Sequence, residues 1–354
     1  MRRESEIIEK IYSRLPTQAR GRAGAWLELG VGDDAAVLRD GFSASSEKAA
    51  CDLVLSCDAF LENVHFLADV HPPDAIGYKA LARATSDLAA TGAAPRFFML
   101  TLALPPSRTG AWLDEVIKGM ARAAREYGML LIGGDTSQNA TVMMSITVGG
   151  DVPSGRALTR SGARPGDGIY VSGTLGTAQL GLELVLRGLH RDRRWKRLLE
   201  PHLRPNIQLK LGRWLVGTLN GHSIASAATD TSDGLSTDLI HICAASGVSA
   251  RIFATQIPSV KLSASLPLHR FDPVELALHG GEDYQLLFTA PPSREHQIPK
   301  SFRGTRITKI GEILNAKPGR RSGSIQLVGA DGKKTPLPAR GWDSFRVDSR
   351  ESKR

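Results

Sequence analysis

The chain has 354 residues, a length that one small core does not usually organise, so two domains are expected. Hydrophobic residues make up 42% and charged residues 23%, as in an ordinary globular enzyme. The formal net charge of +9 suits negatively charged partners, but no aromatic-rich stripe accompanies the basic residues, which disfavours nucleic-acid binding.

The cysteines and the apolar runs bear on location. Cys51, Cys57 and Cys243 form no C-x-x-C pair, and their odd number argues against a disulfide framework and a zinc site. Residues 1–15 lack the continuous apolar core of a signal peptide. The longest apolar run, 97–104, is too short to span a bilayer. We therefore expect a cytoplasmic protein with no membrane segment.

The first half alternates strand-like and helix-like segments, as in an α/β domain. The predicted strands are Leu53–Cys57, Phe97–Leu104, Met129–Ile132 and Thr141–Gly150, and the predicted helices are Asp74–Thr91 and Thr109–Tyr127. Asp74 is expected to cap the first helix, and Gly92 and Gly128 are expected to end the two helices.

The amino-acid composition changes over residues 152–168, which are rich in proline, glycine and basic residues. We place a domain boundary at its start, which gives domains 1–151 and 152–354. Beyond it, the predicted elements are strands Ile169–Ser172 and Ala225–Asp230, helices Thr177–Gly188, Ile207–Leu219 and Leu235–Ser246, and a hairpin turn at Asp331–Lys333 after Ile325–Val328. The basic segment Arg187–Arg204 is either a solvated insertion, the favoured interpretation, or an anion-binding lid.

A short acidic turn recurs along the chain, mostly after an apolar strand or beside a small residue. The turns carry Asp33, Asp34, Asp58, Asp87, Asp135, Asp230, Asp233, Glu282 and Asp283. Carboxylates are ligands that Mg²⁺ prefers, and converging carboxylates would repel one another without cations. The set therefore predicts a site with several magnesium ions that binds a polyphosphate.

Each acidic turn taken alone has a structural interpretation. A Gly-Asp or Asp-Gly pair is usually only a turn, and Asp87 could equally pair with Arg83 one helical turn earlier. Residues 172–181, SGTLGTAQLG, could bind phosphate at a helix N-terminus, although a plain strand-to-helix turn is favoured. The chain contains no P-loop, protein-kinase, zinc-protease or nucleophile-elbow motif.

Seven segments in order resemble the thiamine-monophosphate kinase family, over roughly residues 5–345. They are GVGDDAAVL, SCDAFLENVHF, GYKALARATSDLAATGA, LIGGDTS, GRALTRSGARPGD, TDTSDGLSTDLIHI and GGEDYQLLFT. The resemblance implies a two-domain α/β (α+β) architecture like that of aminoimidazole ribonucleotide synthetase. It implies an N-terminal domain that binds ATP and magnesium and forms a homodimer through a β-barrel. It also implies a C-terminal α/β domain that completes the cleft, with ATP and thiamine monophosphate as substrates.

The resemblance also assigns roles to residues. It implies metal ligands at Asp34, Ser56, Cys57, Asp58, Asp87, Asp135, Asp230 and Asp233, with Asp33 adjacent. It implies ATP contacts at Gly134, Asp135, Arg160 and Ser232, substrate contacts at His65, Glu282 and Trp342, and catalytic roles for Asp58, Asp87, Asp135 and Arg160. Cys57 stands where the family usually has threonine, so any metal contact there is expected through backbone oxygen.

Without the resemblance, the favoured interpretation of three of these residues would be an ordinary structural role. His65 would be a structural histidine, Arg160 a solvated loop arginine and Trp342 a packing anchor. The expected reaction is direct in-line transfer from ATP to the phosphate of the acceptor, which needs no general base because that phosphate is already anionic.

The alternatives are other enzymes of the same superfamily and a non-catalytic nucleic-acid-binding protein. A selenophosphate synthetase would need a reactive Cys and Lys near the N-terminus, and a hydrogenase-maturation dehydratase would need a C-terminal cysteine, whereas this chain ends in RESKR. An aminoimidazole ribonucleotide synthetase remains an alternative that these residues do not exclude. A nucleic-acid-binding protein would require the acidic turns to be coincidental.

Overall fold

The computed structural model describes residues 6–8, 27–30, 32–39, 50–218, 221–262, 266, 271–316 and 323–345. In chain order the first half contains β1 (Leu27–Leu29), β2 (Ala36–Leu38), β3 (Cys51–Leu61), α1 (Pro73–Thr91), β4 (Ala94–Leu104), α2 (Ala111–Tyr127), β5 (Leu130–Gln138) and β6 (Met143–Pro153). These strands form one mixed sheet in the order β1-β2-β3-β6-β4-β5. The β4 and β5 strands run parallel because α2 connects them, and the other neighbours run antiparallel.

The second half carries its own sheet. Its elements are β7 (Gly168–Ser172), α3 (Thr177–Leu186), α4 (Lys196–Leu203), α5 (Leu209–Leu215), β8 (Ala227–Asp230), α6 (Leu235–Ser246), β9 (Ser249–Phe253), α7 (Pro273–His279), β10 (Leu286–Ala290), α8 (Pro292–Glu295), β11 (Ser301–Phe302), β12 (Thr305–Leu314), β13 (Ile325–Val328) and β14 (Lys334–Leu337). The main path of this sheet is β14-β13-β9-β12-β7-β10-β8, and β11 pairs with β12. The predicted hairpin turn at Asp331–Lys333 is confirmed, since β13 and β14 pair antiparallel around it.

The α1 helix is the central element of the first half, and it is buried on nearly every side. It packs against α2 at backbone distance, because a Cβ atom built on Gly77 would lie 1.8 Å from the carbonyl oxygen of Val116. The predicted end at Gly92 is confirmed, with φ of 75° in the left-handed region that glycine tolerates. The predicted cap at Asp74 is wrong, because the helix begins at Pro73 and the Asp74 carboxylate instead accepts a hydrogen bond from Arg204.

Two other expectations are corrected. The strand predicted at Met129–Ile132 continues to Gln138, so Asp135 lies inside a strand, because parallel pairing with β4 outweighs the turn preference of its glycines. The segment Arg187–Arg204 is not simply a solvated insertion. It contains α4, which packs on α3 and buries Leu199 and His202.

Three apolar clusters hold the described residues together. The largest joins α1, α2 and the first sheet to residues of the second half such as Ile207 and Phe288. A second lies around α6 and the second sheet, and a third lies around α3 and α4. Among the described helices, none combines the length and the apolar character needed to cross a bilayer.

Candidate active site

Three aspartates from distant parts of the chain converge. Asp34 lies two residues before β2, Asp87 lies on α1, and Asp230 ends β8. Carboxylate oxygens of the three lie within 4.8 Å of one another. The Asp34 side chain is 2% exposed, and Asp230 is 1% exposed. Asp34, Asp87 and Asp230 therefore form one buried group.

The electrostatics of this group favour a bound cation. Burial, followed by the charge of Asp34, raises the pKa of Asp230 to about 7. Burial and then the charges of Asp58, Asp230 and Asp34 hold the pKa of Asp87 well above its usual range. Neither carboxylate oxygen of Asp230 has a hydrogen-bond partner among the described residues. Buried carboxylates without partners fit a hard divalent cation such as Mg²⁺.

Ser56 and Asp58 of the β3 strand lie beside this group, whereas the side chain of Cys57 faces the other side of the sheet. The Ser56 hydroxyl donates a hydrogen bond to Asp87, and Asp58 is 3.3 Å from the Arg83 guanidinium. Because side chains alternate along a strand, Cys57 points to the opposite face. There its Sγ atom accepts a hydrogen bond from the Thr147 hydroxyl at 3.3 Å. The thiol of Cys57 is therefore not among the clustered carboxylates.

Arg160 links the loop before β2 to the start of the second half. Its Nε atom donates to the Asp34 carboxylate at 3.0 Å, and its backbone N–H donates to Asp33 at 3.0 Å. Burial, together with the charge of Asp34, raises the pKa of Asp33 to about 6. The guanidinium thus lies beside the aspartate cluster, and Arg160 is not a solvated loop residue.

Within one chain, the predicted ligand Asp135 lies far from the group of Asp34, Asp87 and Asp230. It occupies β5, the exposed edge strand of the first sheet, in register with Thr101 of β4. Thr101 pairs with Ser145 of β6, which pairs with Ala59 of β3. Three strand spacings of about 4.8 Å place Asp135 roughly 14 Å from β3. Neighbouring Gly134 approaches β4 closely, since a Cβ atom there would lie 1.9 Å from the Leu100 carbonyl oxygen.

Four predicted site residues meet at the loop after β8. The Glu282 backbone N–H donates to the Ser232 carbonyl at 2.8 Å, and the Trp342 N–H donates to the Asp233 carbonyl at 3.0 Å. Glu282 has φ of 66°, a left-handed conformation that is strained for a residue with a side chain. The Trp342 side chain is half exposed. The backbones of Glu282 and Trp342 are thus both hydrogen-bonded to the loop that carries Ser232 and Asp233.

His65 is neutral and poorly suited to accept a proton. Its Nδ1 atom accepts a hydrogen bond from the Leu61 backbone N–H at 3.0 Å, which leaves the proton of the neutral ring on Nε2. Burial and then the charge of Arg83 lower its pKa to about 3. The ring also stacks on Phe60, with centroids 5.6 Å apart.

The GGEDY turn holds a structural aspartate beside Glu282. The buried Asp283 carboxylate accepts hydrogen bonds from the Gly176 and Ala178 N–H groups and, at 2.8 Å, from the Thr177 hydroxyl. These donors form the N-terminus of α3, so a carboxylate of the chain already occupies the suggested phosphate cradle. The plain strand-to-helix turn is the interpretation that the structure confirms.

Sequence reasoning missed two basic residues of the site. Lys79 donates a hydrogen bond to Glu282 at 2.7 Å, and Arg83 contacts Asp58. The close ion pair of Arg83 is with Asp58, and Asp87 adds a smaller electrostatic interaction with the same guanidinium. The missed signal was the four-residue spacing of Lys79, Arg83 and Asp87, which puts all three along one line of an otherwise small and apolar helix.

The chain matches known protein families along most of its length. Residues 32–152 match the AIR synthase related protein N-terminal domain, and residues 164–322 match the C-terminal domain of the same family. The thiamine-monophosphate kinase of Escherichia coli strain K12 is 38% identical over 328 residues, which cover 90% of this chain and 92% of that protein. The chain belongs to the thiamine-monophosphate kinase family.

Solved structures of thiamine-monophosphate kinases share the fold. A structure of AaThiL complexed with AMPPCP and TMP is 30% identical, with a TM-score of 0.77 over 98% of this chain and 99% of that one. The enzyme from Stenotrophomonas maltophilia K279a is 34% identical, with a TM-score of 0.69 over 94% of this chain and 98% of that one. The expected two-domain architecture, with a mixed sheet in each half, is thereby confirmed.

Proposed function

We propose that this enzyme transfers the terminal phosphoryl group of ATP to thiamine monophosphate and produces thiamine diphosphate and ADP. The observation that supports this proposal best is the buried group of Asp34, Asp87 and Asp230, which is suited to a cation, in a chain 38% identical to a thiamine-monophosphate kinase. A relative of the same fold has been solved with AMPPCP and TMP, an ATP analogue and an acceptor of the proposed kind.

The site residues divide into three groups by their proposed roles. We propose Asp34, Ser56, Cys57 through its backbone oxygen, Asp58, Asp87, Asp135, Asp230 and Asp233 as the residues that hold magnesium. When bound, several magnesium ions would neutralise the charge of the polyphosphate. Gly134, Asp135, Arg160 and Ser232 are proposed to bind ATP, and His65, Glu282 and Trp342 to bind the acceptor.

Catalysis in this arrangement consists of positioning and charge neutralisation. Arg160 lies beside the aspartate group and can form two hydrogen bonds with phosphate oxygens. Asp58 and Asp87 approach from β3 and α1, two elements that pack directly on one another. The acceptor phosphate is already anionic near neutral pH, since its second pKa is about 6. His65 is held neutral with its proton on Nε2 and is a poor general base, so the chain is suited to an acceptor that needs none.

We also propose that the enzyme acts as a homodimer through the β5 edge of the first sheet, where two copies would complete a β-barrel. Leu130, Leu131 and Ile132 of this strand are 70%, 59% and 58% exposed, and a long apolar edge strand needs a cover. A second copy would also surround Asp135, which one chain keeps apart from the aspartate group. Light scattering should give twice the chain mass for wild type and the chain mass for Leu130→Glu; a monomeric wild type would refute the dimer.

The domain boundary, the cellular location and the absence of nucleic-acid binding are also proposals. The boundary proposed between residues 151 and 152 falls near the end of β6, which closes the first sheet at Pro153, and the second sheet begins with β7 at Gly168. A cytoplasmic location is supported by the three cysteines Cys51, Cys57 and Cys243, which form no disulfide bond with one another. The net positive charge is proposed to attract two phosphorylated substrates rather than nucleic acid.

The deciding experiment supplies thiamine monophosphate and free thiamine separately, each with ATP and magnesium, and identifies the products by mass. We expect thiamine diphosphate and ADP from the monophosphate and no product from free thiamine, because its neutral hydroxyl requires a base. Comparable turnover of free thiamine would overturn the mechanism. Binding of ATP with turnover of neither acceptor would instead indicate another enzyme of the superfamily.

A further inference from the structure

The Glu282 carboxylate is held from the interior by groups outside the assigned site. Lys79 Nζ donates to Glu282 Oε2 at 2.7 Å, and His202 Nδ1 lies 3.5 Å from the same oxygen. The side chains of Lys79 and His202 are 3% and 1% exposed, whereas that of Glu282 is 22% exposed. One carboxylate oxygen is thus anchored in the interior, and part of the group remains accessible.

Two buried histidines lie behind Glu282. His71 Nδ1 lies 3.0 Å from the backbone nitrogen and 3.2 Å from the carbonyl oxygen of Leu67, and His71 Nε2 lies 3.0 Å from His202 Nε2. His202 Nδ1 lies 3.5 Å from Lys79 Nζ and 3.5 Å from Glu282 Oε2. Burial lowers the pKa of His71 to about 4 and that of His202 well below its usual value, so both rings are neutral near pH 7.

We propose that Lys79 and His202 are positioning residues that fix the Glu282 carboxylate for the acceptor substrate. The proposal rests on the proposed function, in which Glu282 binds thiamine monophosphate, a molecule with a cationic ring. Glu282 lies on a loop and has a strained backbone conformation, so its side chain needs an anchor to keep one orientation. Lys79 supplies that anchor from the rigid α1 helix, and His202 of α4 contacts the same ammonium group, with Nδ1 3.5 Å from Lys79 Nζ, and helps to hold it in place.

This arrangement gives the basic segment before residue 204 a role that its sequence did not indicate. The α4 helix packs on α3 and brings His202 to the interior, where it meets His71 and Lys79. The arginines of the segment face other partners, such as Arg204 with Asp74 and Arg194 with Asp192. The segment therefore contributes one buried imidazole to acceptor binding, rather than a charged lid.

The test compares kinetic constants for the two substrates. We expect Lys79→Met to raise the KM for thiamine monophosphate at least about tenfold and to change the KM for ATP less than about twofold. His202→Phe should raise the same KM, and His202→Gln, whose amide oxygen can accept from Lys79, should restore most of the loss. Tyr78→Phe is the matched control, because its hydroxyl on the same helix bonds Glu126 away from the site and its loss should leave both constants unchanged.

A double-variant cycle shows whether Lys79 acts through Glu282. Adding Glu282→Gln to Lys79→Met should raise the KM for thiamine monophosphate much less than Glu282→Gln does alone in the wild-type background. Additive effects, or equal losses for both substrates, would overturn the proposal and leave Lys79 a merely structural residue.

Ligand-free urea unfolding separates the anchor from the proposed function. The two substitutions together should destabilise the protein less than the sum of the single ones, because Glu282→Gln alone leaves a buried lysine without its carboxylate. Additivity in unfolding would refute the anchor whatever the substrate. A coupled pair in a wild type that does not phosphorylate thiamine monophosphate would refute the proposed function and, with it, the role in acceptor binding.

Discussion

Asp87→Asn removes one charge from the aspartate group while it preserves the side-chain shape. The asparagine oxygen can still accept the hydrogen bond from Ser56. Two carboxylates 4.8 Å apart repel by about 3.5 kcal/mol at an effective dielectric constant of about 20. Burial and the neighbouring carboxylates raise the pKa of Asp87, so the charged form is the costly one, and asparagine removes that charge. Without magnesium, we therefore expect the free energy of unfolding to stay within about 1 kcal/mol of wild type or to rise.

Activity and the response to magnesium should change much more. We expect Asp87→Asn to lower turnover at least about tenfold, equivalent to about 1.4 kcal/mol of transition-state stabilisation. Magnesium should stabilise the wild type, because a ligand that binds only the folded state favours folding, and it should stabilise the variant less. Urea unfolding with and without magnesium measures the second effect, and release of ADP measures the first.

Asp167→Asn is the control for removal of a buried carboxylate elsewhere. Asp167 is 3% exposed and accepts hydrogen bonds from the Ser226 hydroxyl and the Arg164 N–H. This substitution should lower stability by a similar amount with and without magnesium. A metal-free Asp87→Asn protein that is unfolded at room temperature, or one with full turnover, would refute the assignment of Asp87 to a cation site.

Three further predictions follow from the same geometry. Excess chelator should abolish turnover and added magnesium should restore it, whereas full turnover in chelator would contradict the cation site. Cys57→Thr should keep most activity in the ADP assay, because the thiol faces Thr147 and not the carboxylates; complete loss would show that sulfur is required. Asp283→Ala should lower the free energy of unfolding by about 2 kcal/mol or more in urea, since it removes the acceptor at the N-terminus of α3; an unchanged midpoint would contradict the capping role.

The sequence pointed to the group of Asp34, Asp87 and Asp230 because part of its signal is local. Asp34 and Asp230 lie next to short apolar strands, and such positions can be recognised from the strand alone. The partners of Asp283 and Glu282 could not be recognised in this way. Thr177 lies 106 positions from Asp283, and Lys79 lies 203 positions from Glu282, so only the folded chain brings them together.

The error at Asp135 has the same physical origin. Glycines at 133 and 134 favour a turn locally, and sequence reasoning ended the strand before them. Parallel pairing with β4 extends the strand through both glycines, and the close approach at Gly134 is possible because that residue has no side chain. A neighbouring strand thus decides the conformation of a segment whose own sequence favours a different one.

The line of Lys79, Arg83 and Asp87 explains how one helix can set the geometry of the reaction. Eight residues of helix separate Lys79 from Asp87, about 12 Å along the axis. Lys79 contacts Glu282 at the proposed acceptor end, Asp87 belongs to the proposed nucleotide end, and Arg83 contacts Asp58 between them. In-line transfer needs a fixed distance between the two substrates. The α1 helix can fix it because α2 packs against its backbone at Gly77, which leaves little room for the helix to shift.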